Sequence, residues 1–193
     1  MPLQKVTKKE IIEIARQVFT KQGYHHTSMS DIAEASGLQK GSLYHHFKGK
    51  EELMIAAIDC FHQQFKSDAF SALGNKDFNT QQKLNHLIDC SEKTYLEDEG
   101  SMMASIMLEV INTAPAIANC IKKYFEDWIA SVAQILSEVY PPKGAQKIAK
   151  ESIAAIEGAV MMMQIFNDKS FLTRVHEGLR RRVAQDILER EVV

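Results

Sequence analysis

The chain has 193 residues, 45% hydrophobic and 25% charged, with a formal net charge of -2, which suits one large helical domain or a small domain joined to a medium one. Its longest uncharged apolar runs fall far short of the roughly 18 to 20 residues that a membrane span needs, and "MPLQKVTKKE" is charged at once with no apolar signal core behind it, so the expectation is a cytoplasmic protein without a membrane partner. Cys60, Cys90 and Cys120 are odd in number and form no CxxC, which argues against a disulfide framework and a zinc knuckle.

Glycine and proline are scarce, nine and four in the whole chain, and apolar residues recur at spacings of three and four almost throughout. The fold class expected is all-α, with about nine helices. The first helix starts at "TKKE", where Thr7 and Glu10 have the spacing of a capping box, carries Ile11, Ala15, Val18 and Phe19 on one face, and stops at Gly23. A second box, Ser28 with Asp31, opens a short helix that turns Ile32 and Ala33 inward and closes at Gly37. The third begins near Gln39 or Lys40 and stops between His46 and Lys48. Gly49 and "KEEL" then start a long helix from Lys50 to about Leu73, with Leu53, Ala57, Cys60, Phe61 and Phe65 along one side.

After the break "GNKDFNT", the fifth helix runs from Thr80 to about Glu97 with Leu84, Leu87, Ile88, Ser91 and Tyr95 on its apolar face, and "EDEG" ends it. A short helix over Met102 to Ile111 follows. Pro115 fits the first turn of a long helix bearing Ile117, Ile121, Phe125, Trp128, Val132, Ile135 and Val139. "PPKG" is the strongest breaker in the sequence, leaving two helices, about Ala145 to Phe166 and about Ser170 to Arg190.

Charge divides this array unevenly. Residues 1 to 50 hold eight Lys and Arg against four acids, the remainder fifteen against twenty-one, a basic head on an acidic body and the coarse footprint of a nucleic-acid reader. The segment "SMSDIAEASGLQKGSLYHHF" has helix-turn-helix proportions, with Ala33 and Gly37 allowing close crossing and Leu43 and Phe47 fastening the second helix to its support. Facing out are Lys40, Gly41, Ser42, Tyr44, His45 and, at the end, His46. These suit a DNA groove: Lys40 for phosphate or guanine, Ser42 and His45 for base edges or phosphate, Tyr44 for phosphate, sugar or a thymine methyl, Gly41 for close backbone approach. Lys48 and Lys50, at the start of the next helix, reach for phosphate. The pairs His25-His26 and His45-His46 make poor metal ligands, because neighbours on a helix point about 100° apart. There is no GxSxG, no Gly-rich phosphate loop and no HExxH, so neither an enzyme nor a cofactor is expected.

Residues 7 to about 55 resemble the DNA-binding head of the tetracycline-repressor (TetR) family, on the strength of "ARQVFTKQGYHHTSMSDIAEASGLQKGSLYHHFKGKEEL", Ala15 to Leu53, with its "KGSLYHHF" core. The resemblance implies a helix-turn-helix domain over residues 1–50 and an effector-binding and dimerisation domain over residues 51–193. It further implies a homodimer that sets paired recognition helices on a double-stranded DNA operator, and a body that binds a small effector. Thr27 matches a family phosphate contact, although helix-start chemistry explains it equally. Two residues depart from the pattern: Gln39 stands where the family often has a Ser or Thr cap, a poor cap but a possible base reader, and Gly49 stands where Ser, Thr or Asn is common.

In the body, the penultimate helix offers small residues at Ala155, Gly158 and Ala159 beside Met162 and Phe166, and the last carries a stripe of Leu172, Val175, Leu179 and Val183. The resemblance makes these two helices the dimer interface, as half of a four-helix bundle. For the effector, Phe61, Phe65, His86, Tyr95, Met103, Met107, Trp128 and Met162 are the residue types that line adaptable apolar cavities, which suggests an apolar or amphipathic small molecule. The reading that results is a one-component transcriptional regulator, a repressor released from a palindromic operator by its effector. Its rivals are a helical ligand-binding dimer that no longer reads DNA, and an enzyme on the same scaffold.

Overall fold

The structure, a computed structural model, describes residues 6–97 and 100–191. These form α1 (Lys8–Gln22), α2 (Met29–Ala35), α3 (Lys40–His46), α4 (Lys50–Ala69), α5 (Thr80–Glu97), α6 (Met102–Val110), α7 (Pro115–Leu136), α8 (Pro142–Phe166) and α9 (Ser170–Glu191), with a 3-10 turn, Phe70–Gly74, after α4. No strand occurs among the described residues. The start of the chain read for a signal, residues 1–5, and Asp98 and Glu99 of the "EDEG" stop lie outside them.

Both capping boxes form. Thr7 Oγ1 accepts from the Glu10 N–H at 3.2 Å while Glu10 Oε2 accepts from the Thr7 N–H at 2.7 Å, and Ser28 with Asp31 repeats both distances. Each box satisfies backbone donors that a helix start leaves without partners. The amide bonds hold both carboxyls below their ordinary pKa.

Three boundaries differ from the sequence reading. The end of the fourth helix tightens into the 3-10 turn before Leu73. α7 stops at Leu136 although its apolar stripe continues to Val139, because Val139 is buried from a turn, its N–H bonded to Leu136 O at 3.0 Å. α8 starts at Pro142 and not at Ala145, with Pro141 as its cap. A proline inside the first turn loses no hydrogen bond and already has helical φ, so "PPKG" both breaks one helix and begins the next.

Contacts gather the chain into two compact units. One comprises the chain up to Gln63 together with Met102–Lys123, the other Gln64–Ser101 together with the chain from Tyr124 onward; α4 and α7 each run through the division. In the first unit α1 packs on α2 and on α6, and α2 on α3, around Ile11, Phe19, Ile32, Leu43, Phe47, Leu53 and Met54, all at most 2% exposed. In the second, α9 packs on α5 and α8 over Leu84, Ile88, Trp128, Val132, Ile156, Val160, Leu172 and Val183.

Candidate nucleic-acid interface

The turn between α2 and α3 is fixed by backbone chemistry. Gly37 takes a left-handed φ of 64°, the Leu38 N–H reaches back to Ala33 O at 2.8 Å, and the Gly37 N–H reaches Glu34 O at 3.0 Å. A residue with a Cβ is strained in that conformation, which is why glycine ends α2. α3 is then held by two side chains, Leu43 at 0% and Phe47 at 2% exposure. Because they lie four apart, they occupy one face of the helix.

The opposite face is open. Gln39, Lys40, Gly41, Tyr44 and His45 are exposed, Tyr44 to 46%, and Ser42 and His46 are half-buried. A Cβ placed on Gly41 would meet nothing within 4 Å. Gln39 makes no side-chain cap bond, so its amide remains available to a base edge. Lys48 is exposed, while its backbone N–H is taken by Glu52 Oε2 at 2.7 Å, which caps the start of α4.

Two expected contacts are engaged elsewhere. Thr27 is 2% exposed, and its hydroxyl donates to Gly23 O at 2.7 Å. Its side chain therefore ties the α1–α2 turn back to the end of α1, while Ser28 caps α2. Lys50 Nζ donates to Tyr24 O at 2.7 Å and sits 4.3 Å from the centre of the Tyr24 ring. It ties the start of α4 to the α1–α2 turn, and any phosphate must share its ammonium. Reasoning on sequence also missed Lys8, whose Nζ lies 4.9 Å above the Phe47 ring, and Glu109 of α6. The His25 N–H donates to Glu109 Oε2 at 2.8 Å, and His25 Nε2 lies 3.0 Å from Glu109 O. The Glu109 carboxylate also fills the space where a Cβ on Gly23 would stand. The only local sign of this contact is Gly23 itself, at φ 78°.

In the second unit, three of the residues expected to line a pocket come together. The Phe65 ring is 5.5 Å from Trp128, and Tyr95 is 6.3 Å from the same indole. Tyr124, which the sequence reading left out although it lies one helical turn before Trp128, joins them at 5.6 Å from Phe65 and 6.0 Å from Trp128. Beside the rings is a second omission, Glu157, whose Oε1 accepts from Tyr95 Oη at 2.5 Å. An acid within the apolar run "AAIEGAV" was its sequence signal. His86 faces Asp68 O at 2.8 Å, and Met162 is 39% exposed on the outer face of α8. Phe61, Met103 and Met107 belong to the first unit, Met103 buried and the others half-buried.

The C-terminal end of α8 carries an exposed apolar cluster, while α9 exposes mainly charged and polar side chains. Met161, Met162, Ile165 and Phe166 are 53%, 39%, 63% and 63% exposed, a cluster larger than the scattered single hydrophobics of an ordinary surface. Along the same helices a groove of about 280 Å³ is lined by Glu151, Ser152, Ala155, Val175, Gly178, Leu179 and Arg182. Of the residues expected at an interface, Ala155, Gly158, Met162, Phe166, Val175 and Leu179 keep some exposure. Ala159, Leu172 and Val183, at 7%, 0% and 0%, are spent on the chain's own core.

Among the described residues no helix is long and apolar enough to cross a membrane, and no group of three His, Cys, Asp or Glu could hold a metal ion.

Known proteins match both parts of the chain. Residues 11–57 match the family model described as bacterial regulatory proteins, tetR family, and residues 81–178, just over half of the chain, match the C-terminal domain of LmrA/YxaF-like transcriptional regulators. Similar curated proteins include the transcriptional repressor DhaR of Mycobacterium sp. (strain GP1), 23% identical over 89% of this chain and 91% of that one. Another is the regulator LmrA of Bacillus subtilis, 25% identical over 81% and 85%. A solved TetR transcriptional regulator from Legionella pneumophila superposes with a TM-score of 0.82 at 24% identity, over 95% of this chain and 98% of that one. At that identity the superposition speaks for the fold alone.

Proposed function

Because the chain belongs to the TetR family of bacterial regulatory proteins and is by that membership a DNA-binding transcriptional regulator, we propose that it acts as a homodimeric, one-component repressor in the cytoplasm. In this reading it binds a near-palindromic operator and leaves it when a small molecule occupies the body, acting by binding and not by catalysis. The observation that carries the reading is the outer face of α3. Lys40, Gly41, Tyr44 and His45 are exposed on a helix that Leu43 and Phe47 lock in place, and such a helix fits the major groove.

Paired heads match half-sites about 34 Å apart, one turn of the duplex. The exposed apolar cluster at the end of α8, with the groove beside α9, is the surface that would join two chains, since a two-fold interface sets the same patch of each copy against the other. The small-molecule control follows from linkage. A ligand that binds better to the form that cannot grip the operator weakens DNA binding, and DNA weakens ligand binding by the same factor. α4 begins beside the recognition helix and continues into the second unit, so a shift of this helix is the proposed route by which the heads change their separation.

Selection of bound duplexes from a random pool, at low and at physiological salt, tests the proposal. A recovered palindrome whose affinity falls steeply with salt supports it. No enrichment even at low salt would leave a ligand-binding helical protein that does not read DNA.

A further inference from the structure

We infer that the small molecule recognised by the body is an organic cation, an amine or amidine on an apolar or aromatic frame, held between the Glu157 carboxylate and the rings of Tyr95, Tyr124 and Trp128. The inference rests on the reading of the second unit as an effector-binding body and narrows it to a chemical class.

It starts from polar atoms that the protein encloses without partners. Glu157 Oε1 takes the Tyr95 hydroxyl and Ser101 also bonds the carboxylate, but Oε2 is shut off from solvent and is itself left unmatched. Trp128 is 0% exposed, and its Nε1–H is likewise unmatched. Ser91 Oγ, one helical turn before Tyr95, is a third such atom. Tyr95 joins the set, touching Glu157 through its hydroxyl and Trp128 through its ring. Buried polar groups in folded proteins are nearly always bonded, and leaving one unmade costs about 1 to 3 kcal/mol. Tyr95 links two of these residues, Glu157 and Trp128, and an occupant that brought a donor to one and an acceptor to the other would supply the missing bonds.

The charge of the occupant follows from what surrounds the carboxylate. The influences on Glu157 are burial, which pushes its pKa up, and hydrogen bonds from Tyr95 and Ser101, which favour its charged form. No lysine, arginine or histidine among the described residues is one of them. A half-buried carboxylate with one oxygen shut off from solvent and no positive partner is best matched by a cation that donates a hydrogen bond. The rings point the same way, because the faces of tyrosine and tryptophan attract cations. An anion would meet Glu157 as a like charge. A neutral alcohol could satisfy Oε2 but would leave the charge uncompensated. The unmatched Trp128 N–H asks for an acceptor on the same molecule, such as an ether or carbonyl oxygen.

Trp128 is the single tryptophan of the chain, so its fluorescence reports on this site. The test titrates the full-length protein with phenylbutylammonium, with phenylbutanol as the neutral counterpart and with phenylbutyrate as the anion. The expected result is a saturable change with the ammonium at an affinity at least about tenfold above that of the alcohol, with no binding of the carboxylate. In the Glu157→Gln protein the preference for ammonium over alcohol should fall below about threefold, because the amide keeps the shape and removes the charge. Equal binding of alcohol and ammonium, preference for the carboxylate, no saturable response to the ammonium, or an undiminished preference in Glu157→Gln each overturns the inference. Operator selection with the wild-type protein keeps the two readings apart: a selected operator with no ammonium response sinks the cation alone, whereas no operator sinks the proposed function.

Discussion

Replacing Gly41 by leucine separates what α3 does for the fold from what it does for DNA. Gly41 has ordinary helical backbone, is exposed, and a Cβ there meets nothing within 4 Å. Within the protein the substitution is therefore free of clashes. Leucine exceeds glycine in helix propensity by about 0.8 kcal/mol in a helix interior. Position 41 lies in the first turn of a seven-residue helix, so about half of that gain is expected. For a chain of this size it corresponds to a rise in melting temperature of roughly 1 to 2 °C. On the operator the effect is opposite: an isobutyl group on the groove-facing surface holds the helix off the bases and weakens its neighbours' contacts together. The affinity should fall at least about tenfold, or about 1.4 kcal/mol, and Gly41→Ala should show a smaller loss. Fluorescence anisotropy on a selected operator, beside a thermal melt and a measured dimer mass, checks both halves. A Gly41→Leu protein that keeps its operator affinity within about twofold would mean that this face of α3 does not enter the groove.

Other predictions rest on separate contacts. Lys50→Met should lower stability by about 1 to 2 kcal/mol, since it removes a charge-assisted bond to Tyr24 O and a cation–π contact; an unchanged chemical-denaturation midpoint contradicts that role. Gly23→Ala should cost about 1 to 3 kcal/mol, because φ 78° strains any Cβ and Glu109 occupies its place, and the protein should melt lower without a change in dimer mass. Glutamates at both Ile165 and Phe166 should convert the dimer to monomer by sedimentation and abolish operator binding at nanomolar protein, while the monomer keeps its helical circular dichroism. Burial raises the pKa of Glu157 above its ordinary 4.5, so folding favours the protonated form, and stability from this group is present at acid pH and lost as pH rises through the raised value. Glu157→Gln should therefore melt higher than wild type at neutral pH. The gap should close as pH falls toward 4.5, and a gap that is constant with pH refutes the assignment.

What could be read from the sequence was local. The capping boxes at Thr7 and Ser28, the left-handed Gly37 and the pair Leu43 and Phe47 each act within a few residues, and their spacing alone places the helix-turn-helix. Where a residue has two possible partners, sequence could not choose. Thr27 bonds Gly23 O and Lys50 bonds Tyr24 O, 26 residues away, although both have the chemistry of phosphate ligands. The clamp of Glu109 on His25 spans 84 residues and has no periodicity to announce it. The last two helices illustrate the same limit. Apolar spacing marks a stripe but not which flank of it the chain keeps, so Ala159, Leu172 and Val183 were grouped with an exposed face while they fill the core. Glu157 was passed over because a single acid in an apolar helix has no periodic partner.

The claim that two copies of α3 read one operator is tested most directly by a hydroxyl-radical footprint of the full-length protein on the selected duplex. The account predicts two protected patches on the same side of the duplex, centred about 34 Å or a multiple of it apart. The Gly41→Leu protein should lose both together. A single protected patch, or two that persist in that variant, would contradict it.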